Sequence, residues 1–161
     1  MSSRSSLALK QRFFLSADPA RQARIDEILR AAGIGLAVVH GSRVRGGARV
    51  DSDLDVGLLA VDARPLSYAT MGTLALDLSD ALCAEVDVSD LSTPDAIFRC
   101  EVARCARLLF QNTADAFTDF LAKAMIDYSD IQRFLPELVA GVARGPRRRD
   151  PESAPVERAE R

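Results

Sequence analysis

Three aspartates lie where a small β-sheet could bring carboxylates together. Asp53 and Asp55 open an apolar run, LDVGLLAV, and Asp87 lies in the alternating segment EVDVSDL. Side chains on a strand alternate between its two faces, so Asp53 and Asp55 project to one side and Leu54 and Val56 to the other. If the two segments form neighbouring strands, the three carboxylates converge on one edge of the sheet.

Such a cluster of carboxylates suits a hard divalent cation. Anions held that close repel one another unless a positive charge lies among them. Mg²⁺ prefers oxygen ligands and usually takes one or two carboxylates together with substrate phosphates. Two metal ions held in this way can activate an attacking oxygen and stabilise the leaving oxygen of a phosphoryl or nucleotidyl transfer. The sequence therefore predicts a two-metal Mg²⁺ site.

The segment GSRVRGGARV, residues 41–50, offers a second half to this site. Gly41 allows the backbone to approach a ligand closely, and Ser42 begins a possible short helix directly after an apolar run. Free amides and a hydroxyl at such a turn bind phosphate. Arg43 and Arg45 lie within reach of the same anion, so we expect these four residues to bind a nucleotide.

Each of these features is ordinary when it occurs alone. A Gly-Ser pair is most often a turn, Asp-x-Asp is most often a solvated strand end, and Asp87 by itself is typical of an exposed strand residue. Gly-Ser followed by ten residues and Asp-x-Asp, between two apolar runs, is rare by chance. For His40, the single histidine, we expect packing or hydrogen bonding rather than catalysis.

The stretch GSRVRGGARVDSDLDVGLL, with the later EVDVSDL, resembles the minimal nucleotidyltransferases of the DNA polymerase β superfamily. Within them it is most similar to the MNT antitoxins, which are encoded beside HEPN-domain toxins. The family motif falls on Gly41, Ser42, Asp53 and Asp55, and its third carboxylate falls on Asp87. The resemblance extends over residues 20 to about 140.

This resemblance implies a polymerase β-like nucleotidyltransferase that transfers AMP from ATP to a tyrosine of a HEPN-type toxin. Asp53 and Asp55 would hold both metal ions, and Asp87 would complete one site and help to deprotonate the acceptor hydroxyl. Gly41 and Ser42 would hold the β and γ phosphates. A hetero-oligomer with the toxin is the expected assembly.

Two alternatives remain open from the residues alone. A small-molecule nucleotidyltransferase of the aminoglycoside type would use the same motif, but such enzymes usually carry a further substrate-binding domain, for which this chain has no room. A protein that neutralises its partner by contact alone would retain the motif as a vestige.

Composition excludes several classes of protein. The chain has 161 residues with a formal net charge of −2, which argues against a general nucleic-acid-binding protein. No apolar run approaches the roughly 20 residues of a membrane helix, and the N-terminus lacks the features of a signal peptide. Three cysteines without metal-like spacing indicate reduced thiols and a cytoplasmic protein.

Strand and helix patterns alternate along the chain, which predicts an α/β or α+β domain with a small mixed sheet flanked by helices. Residues 1–142 are expected to form this single domain, and 143–161, rich in charge and proline, a disordered tail. Helices are predicted over 19–32, 66–82, 93–104 and 113–135, and strands over 36–40, 54–61, 85–91 and 107–111.

Overall fold

A four-stranded sheet with helices on both faces is seen in the computed structural model, which describes residues 18–45, 53–93, 95–136 and 140. The strands are β1 (Ile34–His40), β2 (Leu54–Ala60), β3 (Val86–Asp90) and β4 (Arg107–Gln111). The helices of the described residues are α1 (Pro19–Ala31), α2 (Gly41–Arg45), α3 (Tyr68–Leu82), α4 (Ala96–Cys105) and α5 (Ala116–Gln132).

The sheet is mixed and has the order β3-β2-β1-β4. Strand β1 runs antiparallel to both β2 and β4, whereas β2 and β3 are parallel and are joined through α3. Parallel neighbours need such a crossover because the chain has to return to the same end of the sheet. The predicted mixed sheet between helices is confirmed, and β4 is an edge strand as its short apolar run indicated.

Apolar side chains fill both faces of the sheet. On one face Ile25 and Leu29 of α1 and Leu74 and Leu78 of α3 pack against the strands. On the other face the apolar sides of α4 and α5 cover the sheet, and this cluster comprises Leu36, Val38, Leu91, Val102, Ala103, Ala106, Phe120 and Ala124.

Helix starts follow the side chains that cap them. Asp18 accepts hydrogen bonds from the first amides of α1, as predicted. Helix α3 starts two residues later than expected, because Ser67 accepts from Thr70 N at 3.1 Å. Helix α4 is capped by Asp95 instead of Thr93, since its carboxylate accepts from two amides at 3.0 Å. A cap of this kind stabilises a helix by about 1 kcal/mol.

The last described helix corrects one further expectation. Helix α5 begins at Ala116 and ends at Gln132, which makes it shorter than the predicted span of 113–135. Phe120 is buried, whereas Phe134 is 59% exposed and lies beyond the helix and outside both core clusters. The chain divides after Tyr128 into two units, and the sheet lies in the first. The expected tail, 143–161, is outside the described residues.

Candidate functional site

Three neighbouring strands place His40, Asp55 and Asp87 in one row across the sheet. The Cα register pairs His40 of β1 with Asp55 of β2, and it pairs Asp55 with Asp87 of β3. The assumption that the two acid-bearing strands are neighbours is therefore confirmed. The row lies at the end of the sheet where β2 and β3 begin. Strand β1 runs in the opposite direction, so its last residue lies there.

The carboxylates in this region differ in exposure. Asp55 is half-buried, whereas Asp53 and Asp87 are exposed, and Asp53 precedes the first residue of β2. In the described part of the chain, no group of three or more His, Cys, Asp or Glu side chains is placed to hold a metal ion. The register thus brings Asp55 and Asp87 side by side, and the threefold cluster with Asp53 stays a prediction.

Gly41 and Asp55 are fitted to each other. Gly41 has φ of +77°, a left-handed conformation that favours glycine. A Cβ built on Gly41 would lie 2.7 Å from Cγ of Asp55 and closer still to Oδ2. The Asp55 carboxylate therefore occupies the space of the missing side chain. The two halves of the motif, Gly-Ser and Asp-x-Asp, meet at this contact.

The short helix α2 carries the other predicted nucleotide ligands. It packs against β1, β2 and α4, which fixes its place at the end of the sheet. Ser42 is exposed and Arg43 is half-buried. The side chain of Arg45 lies outside what the structure describes, as do Gly46 and Gly47. The expected roles of Arg43 and Arg45 stay predictions.

His40 makes polar and aromatic contacts on the same face as the carboxylates. Its Nε2 lies 3.1 Å from Oγ of Ser89, and its ring meets Phe98 of α4 edge-on at a centroid distance of 6.1 Å. The expectation that His40 packs and hydrogen bonds is confirmed. Sequence reasoning missed Ser89 and Phe98. Alternation along EVDVSDL was a signal for Ser89, because it places Ser89 on the side of Asp87.

Asp90, also on β3, has a structural role. Its carboxylate accepts from Leu66 N at 2.9 Å and from the amide and hydroxyl of Ser92 at 2.9 and 2.8 Å. These bonds hold the loop before α3 against the end of β3. Asp90 therefore holds the fold through hydrogen bonds, whereas Asp87 on the same strand is exposed.

The row of His40, Asp55 and Asp87 lines neither of two cavities found elsewhere in the molecule. One, of about 720 Å³, lies between α1 and α3. The other, of about 410 Å³, lies between α5 and the opposite end of the sheet. At the candidate site Asp87 is exposed, and His40 and Asp55 are half-buried.

Comparison with protein families identifies the family to which this chain belongs. The family model described as "Polymerase beta, Nucleotidyltransferase" matches residues 23–115, which include most of α1, all three residues of the row and β4. The chain belongs to the polymerase beta nucleotidyltransferase family. The polymerase β-like fold expected from the sequence is confirmed.

Solved structures with this fold include toxin–antitoxin complexes. One, a toxin–antitoxin with AMP-PNP, has a TM-score of 0.62 and 24% identity, covering 76% of this chain and 98% of its own. Another is a tri-AMPylated HEPN toxin in complex with MNT antitoxin from Shewanella oneidensis, with a TM-score of 0.57, 22% identity and coverage of 77% and 97%. The MntA–HepT toxin–antitoxin has a TM-score of 0.58, 22% identity and coverage of 78% and 99%.

Two further searches gave negative results. No curated protein matches the chain significantly. Among the described residues there is no helix with the length and apolarity that a bilayer crossing requires.

Proposed function

We propose that this nucleotidyltransferase is an antitoxin that transfers AMP from ATP to a hydroxyl, expected to be a tyrosine, of a cognate HEPN-type toxin. The observation that carries the proposal is the contact between Gly41 and Asp55 beside Asp87, in a chain that belongs to the polymerase beta nucleotidyltransferase family. Solved structures of the same fold include a HEPN toxin carrying AMP groups with its MNT antitoxin, and a complex with an ATP analogue.

The donor set of the row fits Mg²⁺. Asp55 and Asp87 are adjacent in register and offer only oxygen ligands, and Asp53 lies two residues before Asp55 in the sequence. Two carboxylates that leave coordination positions for phosphate oxygens are a typical Mg²⁺ arrangement. When bound, Mg²⁺ would neutralise charge on the triphosphate and polarise the phosphorus under attack.

The protein's own groups have separate tasks in the transfer. Gly41 and Ser42 would bind the β and γ phosphates through the turn that follows β1, with Arg43 and Arg45 near the same charge. The acceptor oxygen forms a bond to the α-phosphorus while the bond to the bridging oxygen breaks, so pyrophosphate leaves on the opposite side. Asp87, exposed at the start of β3, would take the proton of the acceptor hydroxyl.

A macromolecular acceptor suits the exposure of the site. Ser42, Asp53 and Asp87 are all exposed, so a hydroxyl carried on a partner's loop can reach the α-phosphate. This exposure supports a protein acceptor over a small molecule, because small-molecule nucleotidyltransferases usually carry a further substrate-binding domain. Neutralisation by contact alone would not require the fit between Gly41 and the Asp55 carboxylate.

Intact-mass spectrometry tests the proposal. The protein is incubated with ATP, Mg²⁺ and the product of the neighbouring gene, and the partner is expected to gain one or more AMP increments at a tyrosine. Asp53→Asn and Asp55→Asn should each abolish the transfer, because the cation loses a ligand. Asp80→Asn changes an exposed acid of α3 and serves as the matched control. Excess chelator should also abolish both transfer and ATP binding by calorimetry.

The remaining outcomes identify the alternatives. A partner that is bound and silenced but unmodified would replace transfer with neutralisation by contact. AMP found on an aminoglycoside in a parallel assay would replace the protein acceptor with a small molecule. Transfer at the wild-type rate by Asp55→Asn would show that the catalytic carboxylates are assigned wrongly.

A further inference from the structure

A side-chain hydrogen bond spans the middle of the sheet at the candidate site. It joins His40 Nε2 on β1 to Ser89 Oγ on β3 over 3.1 Å. These strands are not neighbours, because β2 lies between them in the sheet. The bond therefore adds a direct connection that the backbone ladder of the sheet does not contain.

Gly57 of β2 lies between the two bonded strands. It pairs with Val38 of β1 and with Ser89 of β3, two register positions from the row of His40, Asp55 and Asp87. Side chains of one face recur every second residue, so a side chain at position 57 would project on the face of Asp55. Because residue 57 is glycine, no side chain projects there. A Cβ there would come within 3.0 Å of the Leu91 side chain.

Helix α4 holds the imidazole from the other side. The Phe98 ring meets the His40 ring at an interplanar angle of 83° and a centroid distance of 6.1 Å. Edge-to-face contacts of this kind are favourable and directional. The hydrogen bond to Ser89 and the aromatic contact with Phe98 both help to orient the ring of His40.

The two ends of the bond adjoin the two halves of the site. His40 immediately precedes Gly41, whose Cα lies against the Asp55 carboxylate. Ser89 follows Asp87 by two residues on the same face of β3. The bond therefore ties the turn proposed to hold phosphate to the strand that carries the proposed proton acceptor. Transfer depends on their relative position, and a displacement of about 1 Å can lower a rate about 100-fold.

We propose that His40 and Ser89 are a pair of positioning residues, which keep the Gly41–Ser42 turn and Asp87 at a fixed separation for nucleotidyl transfer. Neither residue touches the reacting atoms in this scheme. The catalytic part of the inference rests on the proposed function, whereas the link between turn and strand is a property of the fold itself.

Two substitutions remove the bond in different ways. Ser89→Ala deletes the hydroxyl, and His40→Phe keeps an aromatic ring against Phe98 but lacks the nitrogen. Each is expected to lower kcat about 10-fold and to leave KM for ATP within about 2-fold, because alignment is lost and phosphate binding is not. The double variant should be no slower than either single variant, since both remove one interaction. Ser89→Thr, which retains the hydroxyl, should recover most of kcat.

A control separates positioning from stability. Ser67→Ala removes the N-cap of α3, whose hydroxyl contacts the amide and the hydroxyl of Thr70, far along the chain from the turn. It should lower the melting temperature without changing kcat. Equal proportional losses of kcat in Ser67→Ala and Ser89→Ala would overturn the proposal, because the effect would then follow stability alone.

Hydrogen exchange tests the link without any assay of activity. In Ser89→Ala the amides of residues 40–42 should exchange faster, while those of β4 keep their wild-type protection. If the wild-type protein transfers no AMP, but Ser89→Ala still exchanges faster at residues 40–42, the proposed function is refuted and the link between turn and strand stands. Unchanged exchange at residues 40–42, or unchanged kcat in an active enzyme, would overturn the positioning role.

Discussion

Gly41 combines a backbone requirement with a steric one. Its φ of +77° is costly for any residue with a Cβ, and the Asp55 carboxylate fills the space that a Cβ would need. Gly33 has a similar φ of +71°, but a Cβ built there meets nothing within 4 Å. The two glycines therefore separate the conformational effect from the collision with Asp55.

We expect Gly41→Ala to destabilise the protein more than Gly33→Ala. Gly33→Ala should cost about 1 kcal/mol through backbone strain alone, whereas Gly41→Ala should cost about 2–4 kcal/mol because Asp55 must also move. Gly41→Ala should in addition lose transfer activity, which Gly33→Ala should retain. Chemical denaturation with a fit of the free energy of unfolding measures both variants. Equal losses of unfolding free energy in Gly41→Ala and Gly33→Ala would show that the Asp55 carboxylate moves aside without an energetic cost.

The sequence predicted part of the arrangement at the candidate site, whereas the roles of its residues stay predictions. Asp55 and Asp87 were expected to lie side by side, and the register confirms it. The bond between His40 and Ser89 was not predictable, because it depends on the order of three strands. Alternation along a strand fixes the face of a side chain, but only the pairing of strands fixes its neighbours.

At the scale of elements, β3 carries two acids with different surroundings. Asp87 is exposed at its start, whereas Asp90 at its end accepts three hydrogen bonds from Leu66 and Ser92. The Leu66 amide belongs to the loop before α3, so Asp90 helps to fix the crossover between the two parallel strands. Both acids look alike in the segment EVDVSDL.

We expect Asp90→Ala and Asp87→Ala to have opposite effects on stability and activity. Asp90→Ala should lower the free energy of unfolding by about 1–3 kcal/mol, because two amides and a hydroxyl lose their acceptor. It should retain transfer at temperatures well below its melting point. Asp87→Ala should abolish transfer and shift the melting temperature by less than about 2 °C. An active Asp87→Ala variant would remove Asp87 from the catalytic scheme.

Periodicity located the elements, but local capping set their limits. The apolar spacing of α3 predicted a start at Leu66, and the hydroxyl of Ser67 moves that start to Tyr68. Helix α4 likewise begins after Asp95 and not at Thr93. A hydrophobic repeat continues through a cap, because flanking residues also contact the core, so it does not show where helical hydrogen bonding begins.

At the scale of the whole molecule, the buried core of the described residues is formed by a central stretch of the chain. The buried apolar side chains of the described residues lie between Ile25 and Ala124, and α5 supplies the last two of them, Phe120 and Ala124. The similar solved chains are covered over 97–99% of their length and match 76–78% of this one. The segment from residue 146 onward is rich in charge and proline.

Truncation tests how much of the chain the fold requires. Removal of residues 146–161 should change the melting temperature by less than about 2 °C and leave transfer intact, because the deleted segment has no apolar periodicity with which to join a core. A chain ending at Asp115 is the contrasting variant. It loses Phe120 and Ala124, the buried side chains of α5, and should lose cooperative unfolding in a thermal scan. A large fall in melting temperature for the shorter deletion would show that the terminal segment docks on the domain. The arginines at 147–149 would then be the first residues to replace, by glutamine, in order to find out whether charge holds it there.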